Sequence, residues 1–239
     1  MCTVTYLPLH QNGFILTSNR DEDILRPAAI PVKKYVIENR AVYFPKDPKA
    51  NGTWIAQDKE GYTLCLLNGA YEKHQVKPTY KKSRGLVLLD FYKYRSPENY
   101  VAHYDFSGIE PFTMVMVYAC PKLGKVLLYE LKWDEKEANL TAYDSTLPHI
   151  WSSVTLYTPA IIQERKTWFC DWLNSKKINS TEGILSFHHF GGKGNIANDL
   201  VIDRGQKRTV SICCIHRTKK LTKIIYEDII NQNRVLKRI

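Results

Sequence analysis

The chain has 239 residues, 44% hydrophobic and 12% aromatic, enough for a sizeable core, and no Pro-, Gly- or Ser-rich stretch in its middle reads as a linker, so one domain over residues 1–239 is expected. Lys and Arg number 34 against 24 Asp and Glu, a formal charge of +10; this favours anionic partners, but the excess is dispersed and no helix-turn-helix, zinc-finger or aromatic RNP-type signature accompanies it, which argues against nucleic-acid binding. No apolar run approaches ~18 residues and no basic segment followed by a long apolar one opens the chain, so neither a membrane span nor secretion is expected and the cytoplasm is the expected location.

Cys2 to Leu7 and Gly13 to Ser18 are apolar, β-rich runs around a polar His10-Gln11-Asn12-Gly13 turn, the pattern of a hairpin. Asn19 to Glu22 is placed after the second strand, and Arg26-Pro27 starts an extended segment. Short strands follow at Ala41 to Phe44, Thr53 to Gln57 and Tyr62 to Leu67. Between Ser83 and Tyr94 the period becomes helical, with Leu86, Leu89, Asp90 and Tyr94 at helical spacings behind a serine N-cap candidate, and Ser96-Pro97-Glu98 opens a second helix to about Tyr104. Strands return at Phe112 to Tyr118, Lys125 to Trp133, Leu140 to Asp144 and His149 to Val154. Pro159 opens the longest helix, to about Leu173, with Ile161, Ile162, Arg165, Trp168, Phe169 and Trp172 on one face. A shorter helix spans Thr181 to Phe187, and Arg208 to His216 with Leu221 to Glu227 form a last hairpin. Grouped strands and helices in this order predict an α+β class with antiparallel sheet rather than a parallel doubly wound one.

The six cysteines, Cys2, Cys65, Cys120, Cys170, Cys213 and Cys214, show no C-x-x-C spacing and no neighbouring histidines arranged as metal ligands; most sit in apolar runs and read as reduced thiols. No metal or cofactor is expected. His188-His189 ahead of the Gly191-Gly192-Lys193-Gly194 run lacks a phosphate-loop pattern and a third ligand, so that segment reads as a loop.

Cys2 differs from the others by position. Aminopeptidases remove Met1 when a small side chain follows, which would place a thiol and an α-amine on one residue. That amine titrates near ~8, low enough to accept the thiol proton at neutral pH. The plain alternative is a buried cysteine opening an apolar strand.

Met1-Cys2-Thr3 together with Asn19-Arg20-Asp21-Glu22, Arg26-Pro27, Asn51-Gly52-Thr53-Trp54, Leu66-Leu67-Asn68 and Thr158-Pro159 resembles the NRDE family, the group of Transport and Golgi organisation 2-like proteins. The correspondence runs through most of the chain in the right order. That family is in turn similar to the N-terminal-nucleophile hydrolase superfamily, in the branch with penicillin V acylase, bile salt hydrolase and acid ceramidase. The resemblance implies a four-layer αββα sandwich of two antiparallel sheets. It also implies cleavage of a nonpeptide C–N bond, usually of a linear amide, through a Cys2 thioester.

Carried over residue by residue, the resemblance makes Cys2 the nucleophile and, through its amine, the base. Asp21 would orient the amine and Arg20 would lower the thiol pKa. Asn68 would donate to the oxyanion, and Arg208 would be the late arginine of the superfamily. Trp151-Ser152-Ser153 departs from the pattern, because relatives place an asparagine where this chain has Ser153, and a serine hydroxyl is a shorter, single donor. Simpler readings stand beside these: Arg20-Asp21 as a surface ion pair, Asn68-Gly69 as a turn, Arg208 as an exposed cation. The implied partner is a small acyl-amide or lipid-like ligand, anionic by the charge balance. The alternative function is a non-catalytic acyl, lipid or haem handling protein on the same scaffold.

Overall fold

The computed structural model describes residues 3–94, 96–120, 123–175 and 180–239. In chain order the elements are β1 (Thr3–Leu9), β2 (Gly13–Asp23), β3 (Ile30–Ile37), β4 (Arg40–Lys46), β5 (Ile55–Asp58), β6 (Tyr62–Asn68), α1 (Arg84–Asp90), α2 (Pro97–His103), β7 (Phe112–Cys120), β8 (Lys125–Trp133) and β9 (Ala138–Tyr143). There follow β10 (His149–Ser152), α3 (Pro159–Asn174), α4 (Thr181–Phe190), β11 (Asp203–Arg204), β12 (Lys207–Arg217), β13 (Thr222–Asp228) and β14 (Asn233–Arg238). Two compact units contain them, one of Met1–Ala28 with Thr146–Ile239, the other of Ala29–Ser145. Each unit holds one antiparallel sheet, in the order β10-β1-β2-β12-β13-β14 with β11 on β12 in the first, and β3 to β9 in sequence order in the second. The class is α+β, as the grouping of strands and helices predicts. No helix among the described residues is long and apolar enough to cross a membrane.

In the first unit, the alternation of β-strand side chains sends Leu7, Ile15, Ile212, Cys214 and Ile225 to one face of the sheet, where they pack with Trp168 and Phe169 of α3 and Ile184, Leu185 and Phe187 of α4. Burying each of these large side chains is worth about 1.5–3 kcal/mol. Local chemistry starts both helices where that packing needs them. Thr158 accepts a hydrogen bond from the Ile161 N–H ahead of Pro159, and Ser180 accepts one from the Gly183 N–H. In the second unit, Leu64, Leu66, Met114, Met116 and Leu131 of the central strands pack with Val87, Leu88, Phe91 and Tyr100 of the helical segment, and the Tyr100 hydroxyl donates to the Val87 carbonyl at 2.9 Å.

Three local expectations change. Asn19 to Glu22 does not follow the second strand but lies within it, because β2 stays paired with β12 as far as Asp23 opposite Lys207. Strand β3 is more than an extended segment, since it pairs with β4 from Ile30 to Ile37. The hairpin of β12 and β13 is not the last pairing, because Asn233–Arg238 adds β14 on β13, an edge strand built by backbone pairing where the side-chain pattern carries little apolar signal.

Candidate active site

Cys2 and Met1 lie outside the described residues. Thr3, the residue after Cys2, is paired on both sides, with Asn19 of β2 and with Ser152 of β10. It therefore anchors the start of β1 in the interior of the first sheet, next to the Asn19-Arg20-Asp21-Glu22 segment.

Alternation along β2 divides that segment between two faces. Asn19 and Asp21 share the helix-facing side with Ile15, and Arg20 and Glu22 share the other. Asp21 is 1% exposed, and a carboxylate taken out of water must be met by donors. The Tyr157 hydroxyl donates to its Oδ2 at 2.7 Å and the Thr209 hydroxyl to its Oδ1 at 2.6 Å. Thr209 faces Asp21 directly across the β2–β12 ladder, just before a register shift between Thr209 and Ser211; such a bulge inserts one residue and re-aims its neighbours.

On the opposite face Arg20 reaches Glu22, Nη2 to Oε2 at 3.6 Å. Glu22 also draws in Arg26 at 3.6 Å and Lys207 at 3.9 Å. Burial works to raise the Glu22 pKa, but the Asp23 N–H and the Arg20 and Arg26 guanidiniums outweigh it and hold the carboxyl below its ordinary value. Adjacent in sequence, Arg20 and Asp21 thus send their side chains to opposite faces of the sheet.

A third network ties the helix-facing side of β1 and β2 to α3 and α4. Arg165 of α3 is fully buried. It donates to the Thr3 hydroxyl and to the carbonyls of Asn198 and Asp199, and its guanidinium carbon lies 3.7 Å from the centre of the Tyr157 ring. One strand position away, the Asn19 amide donates to the carbonyls of His188 and Leu200. This leaves its Oδ1 as the acceptor for His188 Nδ1, so Nε2 is the acceptor for the Thr5 hydroxyl at 2.7 Å. Burial pulls the His188 pKa down to about 3, and the charges of His189 and Arg165 act in the same direction.

The remaining sequence-derived candidates are placed as follows. Ser153 is buried, its hydroxyl 2.9 Å from that of Thr155. Its carbonyl accepts from the Leu156 and Tyr157 N–H groups, closing the turn that delivers Tyr157 to Asp21. Arg208 sits opposite Glu22 in the ladder, with an exposed side chain engaged by Asp203 at 2.8 Å and by the Gly205 carbonyl. Asn68 ends β6 in the second unit. Gly69 after it has φ +81°, a left-handed conformation that suits glycine, and it stays held beside β7, its N–H donating to the Pro111 carbonyl at 3.0 Å and its carbonyl accepting from the Thr113 hydroxyl at 2.9 Å. His188 and His189 are on α4 rather than in a loop, and His189 pairs with Glu227 at 2.7 Å. No group of three or more His, Cys, Asp or Glu among the described residues could hold a metal ion.

Tyr157, Thr209, Arg165 and His188 form the shell around Asn19 and Asp21, and sequence reasoning assigned none of them a role. Arg165 left a signal as the one charged side chain on the otherwise apolar face of α3, and His188 as half of a histidine pair that reads as part of a loop.

The fold is shared with solved hydrolases. A variant of conjugated bile acid hydrolase from Clostridium perfringens matches with a TM-score of 0.53 at 10% identity, over 99% of this chain and 92% of that one. A mutant of the same enzyme matches at 0.52 and 13%, over 100% and 96%. The Caenorhabditis elegans ortholog of N-acylethanolamine-hydrolyzing acid amidase matches at 0.54 and 12%, over 90% and 92%. At these identities the likeness shows the fold, the αββα class of two antiparallel sheets. No curated protein sequence matches the chain. The family model described as Transport and Golgi organisation 2 matches residues 1–198, and the chain belongs to that family.

Proposed function

We propose that the chain is an N-terminal cysteine hydrolase of a linear amide, with Met1 removed and Cys2 as nucleophile. The single observation that supports this most is the setting of Thr3: the residue that follows Cys2 is fixed between Asn19 and Ser152, beside a carboxylate, Asp21, that is buried and held by two hydroxyls. A buried, doubly tethered carboxylate next to the chain start is a fixed partner for an ammonium group. The names of the structural neighbours, a hydrolase of conjugated bile acids and an amidase hydrolysing N-acylethanolamines, support an acyl amide as substrate class. The +10 charge favours an anionic one.

In the proposed reaction the Cys2 amine takes the thiol proton, and the sulfur attacks the amide carbon to form a tetrahedral oxyanion. Collapse breaks the C–N bond, and the leaving amine takes the proton from the ammonium. Water, deprotonated by the amine, then attacks the thioester carbon. The C–S bond breaks, the carboxylic acid leaves and the thiol is restored. Asp21 orients the amine, and Arg20 supplies positive potential that favours the thiolate. Ser153 stands at the position of the relatives' asparagine, and Asn68 is assigned the oxyanion; a preorganised donor of this kind is worth roughly 3–4 kcal/mol of barrier. Arg208, engaged by Asp203 on the exposed β11–β12 hairpin, serves that hairpin in this proposal rather than the reaction.

The test is intact-mass measurement before and after limited iodoacetamide. The proposal expects loss of Met1 and one rapid modification at Cys2, absent in Cys2→Ala and slowed in Asp21→Asn. Acyl amides graded in chain length and head-group charge would then be hydrolysed by the wild type and not by Cys2→Ala. Retained Met1, or a Cys2 no faster than the exposed Cys170, would leave the second reading, a non-catalytic acyl, lipid or haem handling protein. The serine hydroxyl of Ser153, a shorter and single donor where the family resemblance places an asparagine, favours that reading.

A further inference from the structure

The geometry points to Arg165 as a positioning residue for the Cys2 amine and thiol, an inference that rests on the function proposed above. One guanidinium holds both sides of that site. Through Nη1 it donates to the Thr3 hydroxyl, gripping the residue bonded to Cys2. Through its π-facing surface it lies 3.7 Å from the centre of the Tyr157 ring, and the hydroxyl of that ring donates to Asp21 at 2.7 Å. The start of β1 and the carboxylate meant to orient its amine are thus referred to the same planar group. Carbonyls of Asn198 and Asp199 fix the guanidinium in turn.

The choice of residue is physically specific. Filling a helix core position with leucine would pack α3 at least as well as an arginine that must be desolvated. Arginine alone supplies a rigid fork of donors and a flat cation able to lie on an aromatic face, whereas lysine is a point charge on a flexible stem. A cation on the ring also polarises the Tyr157 hydroxyl as a donor and so tightens its hold on Asp21. Arg204 lies 5.2 Å from the same ring, but its donors go to Ala197, Leu156 and Asn198 rather than to Thr3, so it makes a matched control.

The experiment is the pH profile of iodoacetamide modification at Cys2, followed by intact mass and peptide mapping with Cys170 as internal reference, in the wild type, Arg165→Lys, Arg204→Lys and Tyr157→Phe. Loss of the fork should move the Cys2 profile of Arg165→Lys about one unit to higher pH, slowing modification near neutral pH about tenfold relative to Cys170. Tyr157→Phe should move it in the same direction, the double variant should add little to either single one, and Arg204→Lys should leave it in place. A merely structural role would lower the urea midpoint of Arg165→Lys without moving the profile, and that result overturns the inference while the proposed function stands. If Arg165→Lys does not fold, an unshifted profile in Tyr157→Phe overturns it equally. A wild-type Cys2 no more reactive than Cys170 overturns the proposed function, and the role of Arg165 with it.

Discussion

Asn19 and His188 are joined twice: the Asn19 amide donates to the His188 backbone carbonyl at 3.1 Å, and the His188 imidazole donates through Nδ1 to the Asn19 side-chain oxygen. A second donation, to the Leu200 carbonyl at 2.7 Å, uses the other amide hydrogen. Asn19 therefore joins β2 to α4 and to the segment before β11, and every polar atom of its side chain is committed. Asn19→Asp keeps the shape but turns two donors into an acceptor facing two carbonyls. Its expected cost is about 3–5 kcal/mol of unfolding free energy, read as a lower midpoint in urea denaturation. A midpoint within experimental error of the wild type would refute this account of the first residue of the tetrapeptide.

His188 has its own pH signature. Its folded pKa is drawn to about 3 by burial, then by the charges of His189 and Arg165, against about 6.5 in an unfolded chain. Between those values the unfolded state binds the extra proton. The stabilisation is therefore complete above about pH 6.5 and falls as the pH is lowered, at up to about 1.4 kcal/mol per unit. Urea midpoints measured from about pH 7.5 to about pH 5 should decline in the wild type, and less steeply in His188→Gln. Equal slopes would show that another group carries the dependence.

What the sequence disclosed followed from local signals. Strand β8 coincides with its expected Lys125 to Trp133 because a continuous run of β-favouring apolar residues, Val126 to Tyr129, lies within it, and α3 starts at Pro159 because Thr158 caps it. The sequence pattern puts Asn19 to Glu22 outside its strand because polar residues carry no β signal of their own; the pairing that extends β2 comes from β12, nearly 190 positions later by the Thr209–Asp21 bond. With the strand cut short, the division of Arg20 and Asp21 between two faces could not be read. Arg165 was visible as a charge on an apolar helix face, but its partner Thr3 lies 162 positions away, and no periodicity reports a contact at that separation.

Glu22 gives a prediction of opposite sign to that of Asp21. Its carboxylate collects Arg20, Arg26 and Lys207, and its lowered pKa means that its contribution is present above the unfolded value of 4.5 and is lost as the pH falls through the folded one. Glu22→Gln should cost about 1 kcal/mol at neutral pH, given a partly solvated ion pair, and the loss should shrink in acid. Relieved of its anionic neighbour, Arg20 would exert a stronger field. Iodoacetamide modification of Cys2 should then speed up near neutral pH, where Asp21→Asn slows it. Slowing in both variants would show that the positive potential does not come from Arg20.

Thr209 tests whether Asp21 is held by design of the ladder or simply enclosed. Its hydroxyl donates to Asp21 Oδ1 at 2.6 Å and accepts from the Ile202 N–H at 2.9 Å, so one oxygen serves a buried carboxylate and a buried amide together. Thr209→Val preserves the β-branched shape but withdraws both bonds. Asp21 keeps Tyr157, the Ile202 N–H loses its acceptor, and about 2–4 kcal/mol of stability should go with them. Thr209→Ser retains the hydroxyl and should stay within about 1 kcal/mol of the wild type. Because the methyl group lost in serine and the hydroxyl lost in valine are similar in size, the pair separates packing from hydrogen bonding in urea unfolding. Equal losses in the two variants would assign Thr209 to packing and leave Tyr157 as the donor that orients the carboxylate.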